Sequence, residues 1–186
     1  MLKNLFKSVL LLTSINLFPG YALALDEANV AEDKRTTLGL YMSSTEASAF
    51  MESNGKYALF LDVRDPHELQ TTGMADSVDY NVPFDYININ KWDEVKSRFQ
   101  FEINPDFVKD TTSRFKTKGL KGFDAIVLIC TSGTRAAQAV NVLAEAGFKN
   151  VHTVVDGYSG WKNNNLKWNR KLDRSKMYGK VASSAK

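Results

Sequence analysis

Ala125-Ile126-Val127-Leu128-Ile129-Cys130-Thr131-Ser132-Gly133-Thr134-Arg135 is the stretch on which the fold turns. Its first five residues are all apolar, a run of strand length suited to burial on both faces of a parallel sheet. A short polar loop with a glycine follows, then a helical pattern from Thr134 to about Ala146, closed by Gly147. In open α/β sheets, ligands bind just beyond the carboxyl ends of the strands, where this loop lies.

Working outward, the same alternation recurs. Residues 38–42 form a short strand candidate, and Ser43 or Ser44 caps a helix from about Thr45 to Ser53, stopped by Asn54-Gly55. Residues 58–63 (Ala-Leu-Phe-Leu-Asp-Val) are a second continuous strand, and 78–82 a weaker one. Asn104-Pro105 starts a helix running through Lys116. Val151 to Val155 is the last strand, and Gly160-Trp161-Lys162 opens a final short helix or turn. Strands alternating with helices give one α/β domain with a parallel sheet. The segment 84–104 breaks the pattern by being aromatic and charged at once (Tyr86, Trp92, Phe99 and Phe101 among Lys91, Asp93, Glu94, Lys96 and Arg98). It reads either as a lid over the site or as a decorated surface excursion.

The ends differ from the body. Lys3 and Lys7, an apolar run ending at Phe18, Pro19-Gly20 and the small-x-small pattern Ala22-Leu23-Ala24 make residues 1–24 a signal peptide, with export to the periplasm. The apolar run of about ten residues is too short to cross ~30 Å of hydrocarbon. Residues 25–37 read as a loose polar leader. From Lys162 to Lys186 eight basic residues stand against Asp173 alone, on an otherwise acidic body. The tail 166–186 accordingly reads as a mobile, solvated end. Its functional alternative is a weak electrostatic dock for an anionic partner or a membrane surface. A formal net charge of +3 over 186 residues gives no argument for nucleic acid.

Cys130 is the one cysteine, which excludes an internal disulfide framework and a cysteine-cluster metal site. His67 and His152 lack the partner pattern of a metal site or a triad, and no metal or other cofactor is expected. An unpaired thiol in an oxidising compartment is either inert because buried or kept because it reacts. The sequence after Cys130 favours reaction. Backbone N–H groups of the loop, the positive end of the following helix and Arg135 all favour a thiolate. Gly133 lets successive N–H groups converge as an anion-binding nest.

With Leu61-Asp62-Val63-Arg64 closing one strand, Cys130-x-x-Gly133-x-Arg135 after another, and Ala144-Glu145-Ala146-Gly147-Phe148-x-Asn150-Val151 leading to Asp156-Gly157-Tyr158-x-Gly160-Trp161, the chain resembles the rhodanese family of sulfurtransferases over roughly residues 38–165. The resemblance implies a five-stranded parallel sheet flanked by helices. It implies attack of the Cys130 thiolate on the outer sulfur of a small anionic donor such as thiosulfate, then transfer from the resulting persulfide to cyanide, a thiol or a protein acceptor. Carried over, Cys130 is the nucleophile. The backbone of Thr131, Ser132, Gly133, Thr134 and Arg135 holds the anion together with the Arg135 guanidinium, and Asp62 and Arg64 anchor the edge of the site. The family often has a cation directly after the cysteine, where this chain has Thr131, and the usual Gly-His-Ile is Gly73-Met74-Ala75.

Three other readings compete. Phosphatases of this fold place arginine six positions after cysteine, and the step here is five, a tighter cradle. A thiol–disulfide oxidoreductase lacks its resolving thiol. A sulfur-carrier or partner-binding module of the same fold without significant turnover is the alternative that keeps Cys130.

Overall fold

The computed structural model describes residues 25–179, so the signal peptide expected over 1–24 lies outside the described residues. The strands and helices are β1 (Tyr41–Met42), α1 (Ser44–Asn54), β2 (Ala58–Asp62), α2 (Pro66–Thr72), β3 (Met74–Ala75), β4 (Tyr80–Asn81), β5 (Asp85–Asp93), β6 (Arg98–Ile103), α3 (Phe107–Thr117), β7 (Ala125–Ile129), α4 (Thr134–Glu145), β8 (Val151–Val154), α5 (Gly157–Asn163) and β9 (Trp168–Asn169). Five strands build one parallel sheet in the order β1-β8-β7-β2-β4. The α/β class with a parallel sheet is the one that the residue pattern implies, and the number of five strands the one that the resemblance implies.

The two apolar runs occupy the middle of that sheet, and their alternation divides the core. Leu59, Leu61, Ile126 and Leu128 face one way and pack with Phe107, Phe115, Val140 and Leu143 from α3 and α4. Ala58, Phe60, Val127 and Ile129 face the other way, against Ala47, Met51, Leu69 and Trp161 from α1, α2 and α5. Both faces are covered, which is why neither run carries a polar residue until its end. The register pairs Asp62 with Ile129, so the ends of β2 and β7 reach the carboxyl edge together. Asp62 and Cys130 are thereby placed at one edge of the sheet.

Both terminal segments depart from the expectation of loose ends. Residues 25–37 are docked: Lys34 Nζ donates to the Val155 carbonyl, Thr37 to Asn141, and Val30 is buried. The leader carries few apolar residues, so its contacts are hydrogen bonds to groups distant in sequence. The segment from Leu166 to Tyr178 is likewise folded back. β9 pairs antiparallel with β3, the Lys176 carbonyl accepts from Asn81 N, and its Nζ donates to the Val78 carbonyl. Leu166, Trp168, Leu172 and Met177 pack on the second core cluster. Charge density suggested a solvated tail, but four apolar residues spaced among the lysines are enough to seat it. Met177→Ala should cost about 2 kcal/mol, as removal of a buried methionine side chain does, read as a shift in the urea midpoint at unchanged slope. A change below a few tenths would mean that the segment is not seated in solution.

The aromatic segment 84–104 is a two-stranded antiparallel hairpin, β5–β6, with an irregularity between Asn88 and Trp92. It was not legible as strands, because its alternation is blurred by charged residues and broken by that bulge.

Candidate active site

Cys130 follows β7 directly, and the next residues turn so sharply that Gly133 N lies 3.2 Å and Ala136 N 3.4 Å from its sulfur, both donating to it. The turn depends on Gly133. Its φ is +100°, and a Cβ there would meet the Val155 carbonyl oxygen at 2.3 Å. Gly133 is also the N-cap of α4 and supplies no side-chain cap, so the first N–H groups of the helix face the loop. Two backbone donors and the helix terminus thus surround the sulfur and stabilise negative charge on it. The sulfur itself is buried, at the foot of a cleft of about 280 Å³ lined by Asp85, Arg98, Phe101, Ser132, Thr134, Arg135 and Gln138.

The loop is braced from behind by the turn after β8. Tyr158 N donates to the Cys130 carbonyl and Ser159 N to the Thr131 carbonyl. Gly157 has φ +54°, and a Cβ on it would lie 2.6 Å from the Cys130 carbonyl oxygen. Asp156 accepts from both the amide and the hydroxyl of Ser44, which ties this turn to the start of α1. The Asp156-Gly157-Tyr158-x-Gly160-Trp161 motif therefore acts as a clamp on the cysteine loop. Trp161 is a core residue.

Asp62 closes β2 level with Ile129, and the partners of Asp62 and Arg64 fix that end of the strand. Arg64 pairs with Asp62 at 2.8 Å, donates to Thr72 Oγ1 and the Gly73 carbonyl, and lies 3.7 Å from the centre of the Tyr158 ring. The Tyr158 hydroxyl donates to Asp62 and accepts from Ala75 N. One buried network thus fixes the ends of β2, α2, β3 and α5.

Arg135 stands otherwise than the sequence suggested. Instead of offering an open guanidinium to an anion, it makes two bonds to Glu68 (2.7 and 2.8 Å) and one to Asp85 (2.9 Å). Burial disfavours its charge, but Glu68 and Asp85 more than offset this and hold its pKa above the usual arginine value. Burial also acts on Glu68, where Arg135 prevails and lowers the carboxyl below its ordinary range. Asp85 is the uncompensated member. Burial, with Glu68 and Asp65 adding repulsion, keeps its carboxyl above the ordinary aspartate range despite Arg135. Thr131, in the place where a cation is common, donates to Glu68 as well. Thr134 in the first turn of α4 donates to Asp33 at 2.9 Å. Of the loop residues, Ser132, Thr134 and Arg135 line the cleft beside Cys130, and Thr131 donates to Glu68.

Glu68, Asp85 and Asp33 were not among the sequence candidates. Asp65-Pro66-His67-Glu68 is a legible helix start, with Glu68 closing a capping box on Asp65, but that signal explains a helix and not a second bond to an arginine 67 residues away. Asp85 and Asp33 carry no local signal at all. His67 bonds Asp65, and His152 bonds Asn150, with burial pushing its pKa down to about 4. Among the described residues no cluster of His, Cys, Asp and Glu could hold a metal ion.

The family description that matches is the Rhodanese-like domain, over residues 43–164. A curated relative, thiosulfate sulfurtransferase 16, chloroplastic, of Arabidopsis thaliana, is 34% identical over 107 residues, covering 58% of this chain and 76% of that protein. An uncharacterized protein of Rickettsia prowazekii is 31% identical over 132 residues, 67% of this chain and 93% of its own length. Among solved structures, Rv0390 from M. tuberculosis superposes with a TM-score of 0.50 at 20% identity, covering 70% of this chain and 96% of that one. A thiosulfate sulfurtransferase from Pseudomonas aeruginosa gives 0.53 at 17%, covering 76% of this chain and 22% of that one. These two likenesses establish the fold.

Proposed function

The chain belongs to the rhodanese-like family, its function is of the sulfurtransferase type, and on that premise we propose that it moves sulfane sulfur from a donor to a thiophilic acceptor as a persulfide on Cys130. The observation that carries this is the pair of N–H groups, Gly133 and Ala136, aimed at a single buried sulfur that opens on a cleft. The thiolate attacks the outer sulfur of a donor such as thiosulfate. A new S–S bond forms on Cys130 while the donor's S–S bond breaks, and sulfite leaves with the electron pair. The outer sulfur then stands about 2 Å further into the cleft, where an acceptor nucleophile takes it and returns the Cys130 thiolate. The loop donors stabilise sulfur charge at both stages. Export to the periplasm belongs to the same proposal and rests on the pattern of residues 1–24 alone. The N-terminal residue of the protein recovered from the source cell checks it.

The test is the mass of the protein after incubation with thiosulfate, inorganic polysulfide or mercaptopyruvate. Gain of one sulfur on the peptide containing Cys130, removed by cyanide, is expected. No gain from any of the three donors would end the sulfur-transfer reading.

Asp85 gives a finer check on the anionic donor. Its ionised form faces the cleft and repels a dianion, and Asn keeps an oxygen for Arg135 while removing the charge. Asp85→Asn should lower the KM for thiosulfate by roughly three- to tenfold, the effect of one unit charge across a partly wet cleft. The folded-state pKa of Asp85 is raised, so its ionisation opposes folding above the ordinary aspartate range and ceases to do so as pH falls. The substitution should therefore leave the thermal midpoint at pH 7 equal to or above that of the parent. A raised KM would show that the carboxylate serves the donor.

A further inference from the structure

Two guanidiniums line the cleft that holds Cys130, those of Arg98 and Arg135, and their circumstances differ. Arg135 is committed. Its terminal nitrogens make three bonds to Glu68 and Asp85, and 16% of its side chain is exposed. An oxyanion that reached for them would have to displace a carboxylate and leave it partly buried without its counter-charge. Arg98 is exposed, and among the described residues its side chain has no hydrogen bond and no ion pair. What it meets is the Phe101 ring, 5.8 Å from its guanidinium carbon. Asp85, the carboxylate that lines the cleft, already bonds Arg135. The positive charge left without a partner there is that of Arg98.

The hairpin holds Arg98 in that place. Arg98 begins β6, and its neighbour Phe99 is paired with Trp92 across the strands, their rings edge to face at 5.2 Å. At the base of the hairpin Ile87 N donates to Asp65, and the Asn104 side chain donates to the Pro83 carbonyl. The Phe101 ring lies 5.4 Å from the Arg135 guanidinium as well, so the committed and the uncommitted cation share one aromatic neighbour. The chemistry then sets where an anion lies. Displacement at sulfur is in line, with the leaving group on the far side of the attacked atom from the nucleophile. Cys130 Sγ is buried at the foot of the cleft, so the oxyanion end of a donor points outward, toward the exposed lining residue Arg98. The Gly133 and Ala136 N–H groups donate to Sγ itself, at the other end of that line.

We infer that Arg98, on the hairpin and outside every quoted motif, binds the oxyanion end of the donor in the sulfur transfer proposed above and selects donors that carry one. The inference rests on that sulfur-transfer reading. The Cys130 thiolate attacks the outer sulfur of thiosulfate, a bond forms between these two sulfurs, and the bond from the outer sulfur to the sulfonate sulfur breaks. Its electron pair leaves with sulfite. One thiolate and one dianion enter, and one persulfide anion and one sulfite dianion result. The negative charge that gathers on the sulfite oxygens meets the Arg98 guanidinium, whose paired N–H groups match two of them.

The experiment follows sulfur loading of the full chain by mass spectrometry over a thiosulfate series, in the parent, Arg98→Gln and Arg98→Lys. Arg98→Gln should lower the second-order loading constant by roughly tenfold or more, the scale of one hydrogen bond between charged groups. Arg98→Lys keeps the charge and loses the paired geometry, and should stay within about threefold of the parent. Sulfate, which has the oxygens and no transferable sulfur, should compete with thiosulfate in the parent, and its inhibition constant should rise in Arg98→Gln. Two controls accompany these rates. Alkylation of Cys130 by iodoacetamide, a neutral reagent, should proceed at the parent's rate in both variants, and their thermal midpoints should match the parent's. An unchanged loading constant in Arg98→Gln overturns the inference and leaves the donor to the cysteine loop. Alkylation slowed as much as loading also overturns it, because Arg98 then acts on the thiolate and not on the donor. A parent that loads from inorganic polysulfide and not from thiosulfate overturns it too, and leaves the sulfur-transfer reading standing. A parent that loads from neither removes both readings.

Discussion

Cys130→Ser should take up no sulfur from any donor and form thiocyanate at no more than the uncatalysed rate. The hydroxyl is not ionised at neutral pH and is a poor nucleophile toward sulfur, whereas a thiolate is intrinsically a strong one. Transfer through a persulfide has no path around the substitution, because the chain has no second thiol. The fold should persist, since serine is nearly isosteric and its oxygen accepts from the same Gly133 and Ala136 N–H groups. The pair of measurements is the thiocyanate rate and the thermal midpoint. Turnover comparable to the parent's would overturn the mechanism, and a collapsed midpoint would move the cysteine's role toward packing.

The largest stability effect is expected at Asp62. Its carboxylate is fully buried and receives Arg64 and the Tyr158 hydroxyl. Asp62→Ala leaves a guanidinium inside the protein without its counter-charge, and breaking one side of such a buried pair costs about 3–5 kcal/mol. That is a large part of the stability of an ordinary domain, about 5–15 kcal/mol. The urea midpoint should fall accordingly, and sulfur loading should fail at temperatures where the parent works, because β2, α2, β3 and α5 lose their common anchor beside the cysteine loop. The control is Asp62→Ala with Arg64→Met, which removes both charges and should recover much of the loss. A single-variant loss below about 1 kcal/mol would show that the network is wetter than its geometry indicates.

The family signature turns out to be mostly scaffolding. Asp62 and Arg64 form a buried tie, Gly133 and Gly157 permit backbone approaches that any Cβ would block, and the Tyr158 and Ser159 N–H groups hold the loop carbonyls while Asp156 ties their turn to Ser44. Of the quoted motifs, the one that lines the cleft is the cysteine loop, with the Gly133 and Ala136 N–H groups donating to the Cys130 sulfur. The chain's own character comes from the segment that fits no motif, the hairpin, which supplies Asp85, Arg98 and Phe101 to the cleft.

The sequence alone determined the elements whose information is local. Continuous apolar runs at 58–63 and 125–129 could be accommodated only as central strands covered on both faces. The helix after Gly133 followed from 3.6-residue periodicity and a closing glycine, and the tight loop between Cys130 and Arg135 announced a backbone nest. That Cys130 is the one thiol needed nothing more than the count of cysteines. What only the tertiary structure decided was every feature made by residues far apart in the chain. The spacing could not tell whether Arg135 faces a ligand or Glu68 and Asp85, because that depends on where α2 and the hairpin land once the sheet is ordered β1-β8-β7-β2-β4. Charge counting could not tell a free tail from one held by Leu166, Trp168, Leu172 and Met177, since the energy lies in apolar burial on the core face that holds Tyr158 and Trp161 and not in the lysines. Local pattern sets which elements form. The electrostatics of a site are set by the carboxylates that topology brings to it, and no short window of sequence contains them.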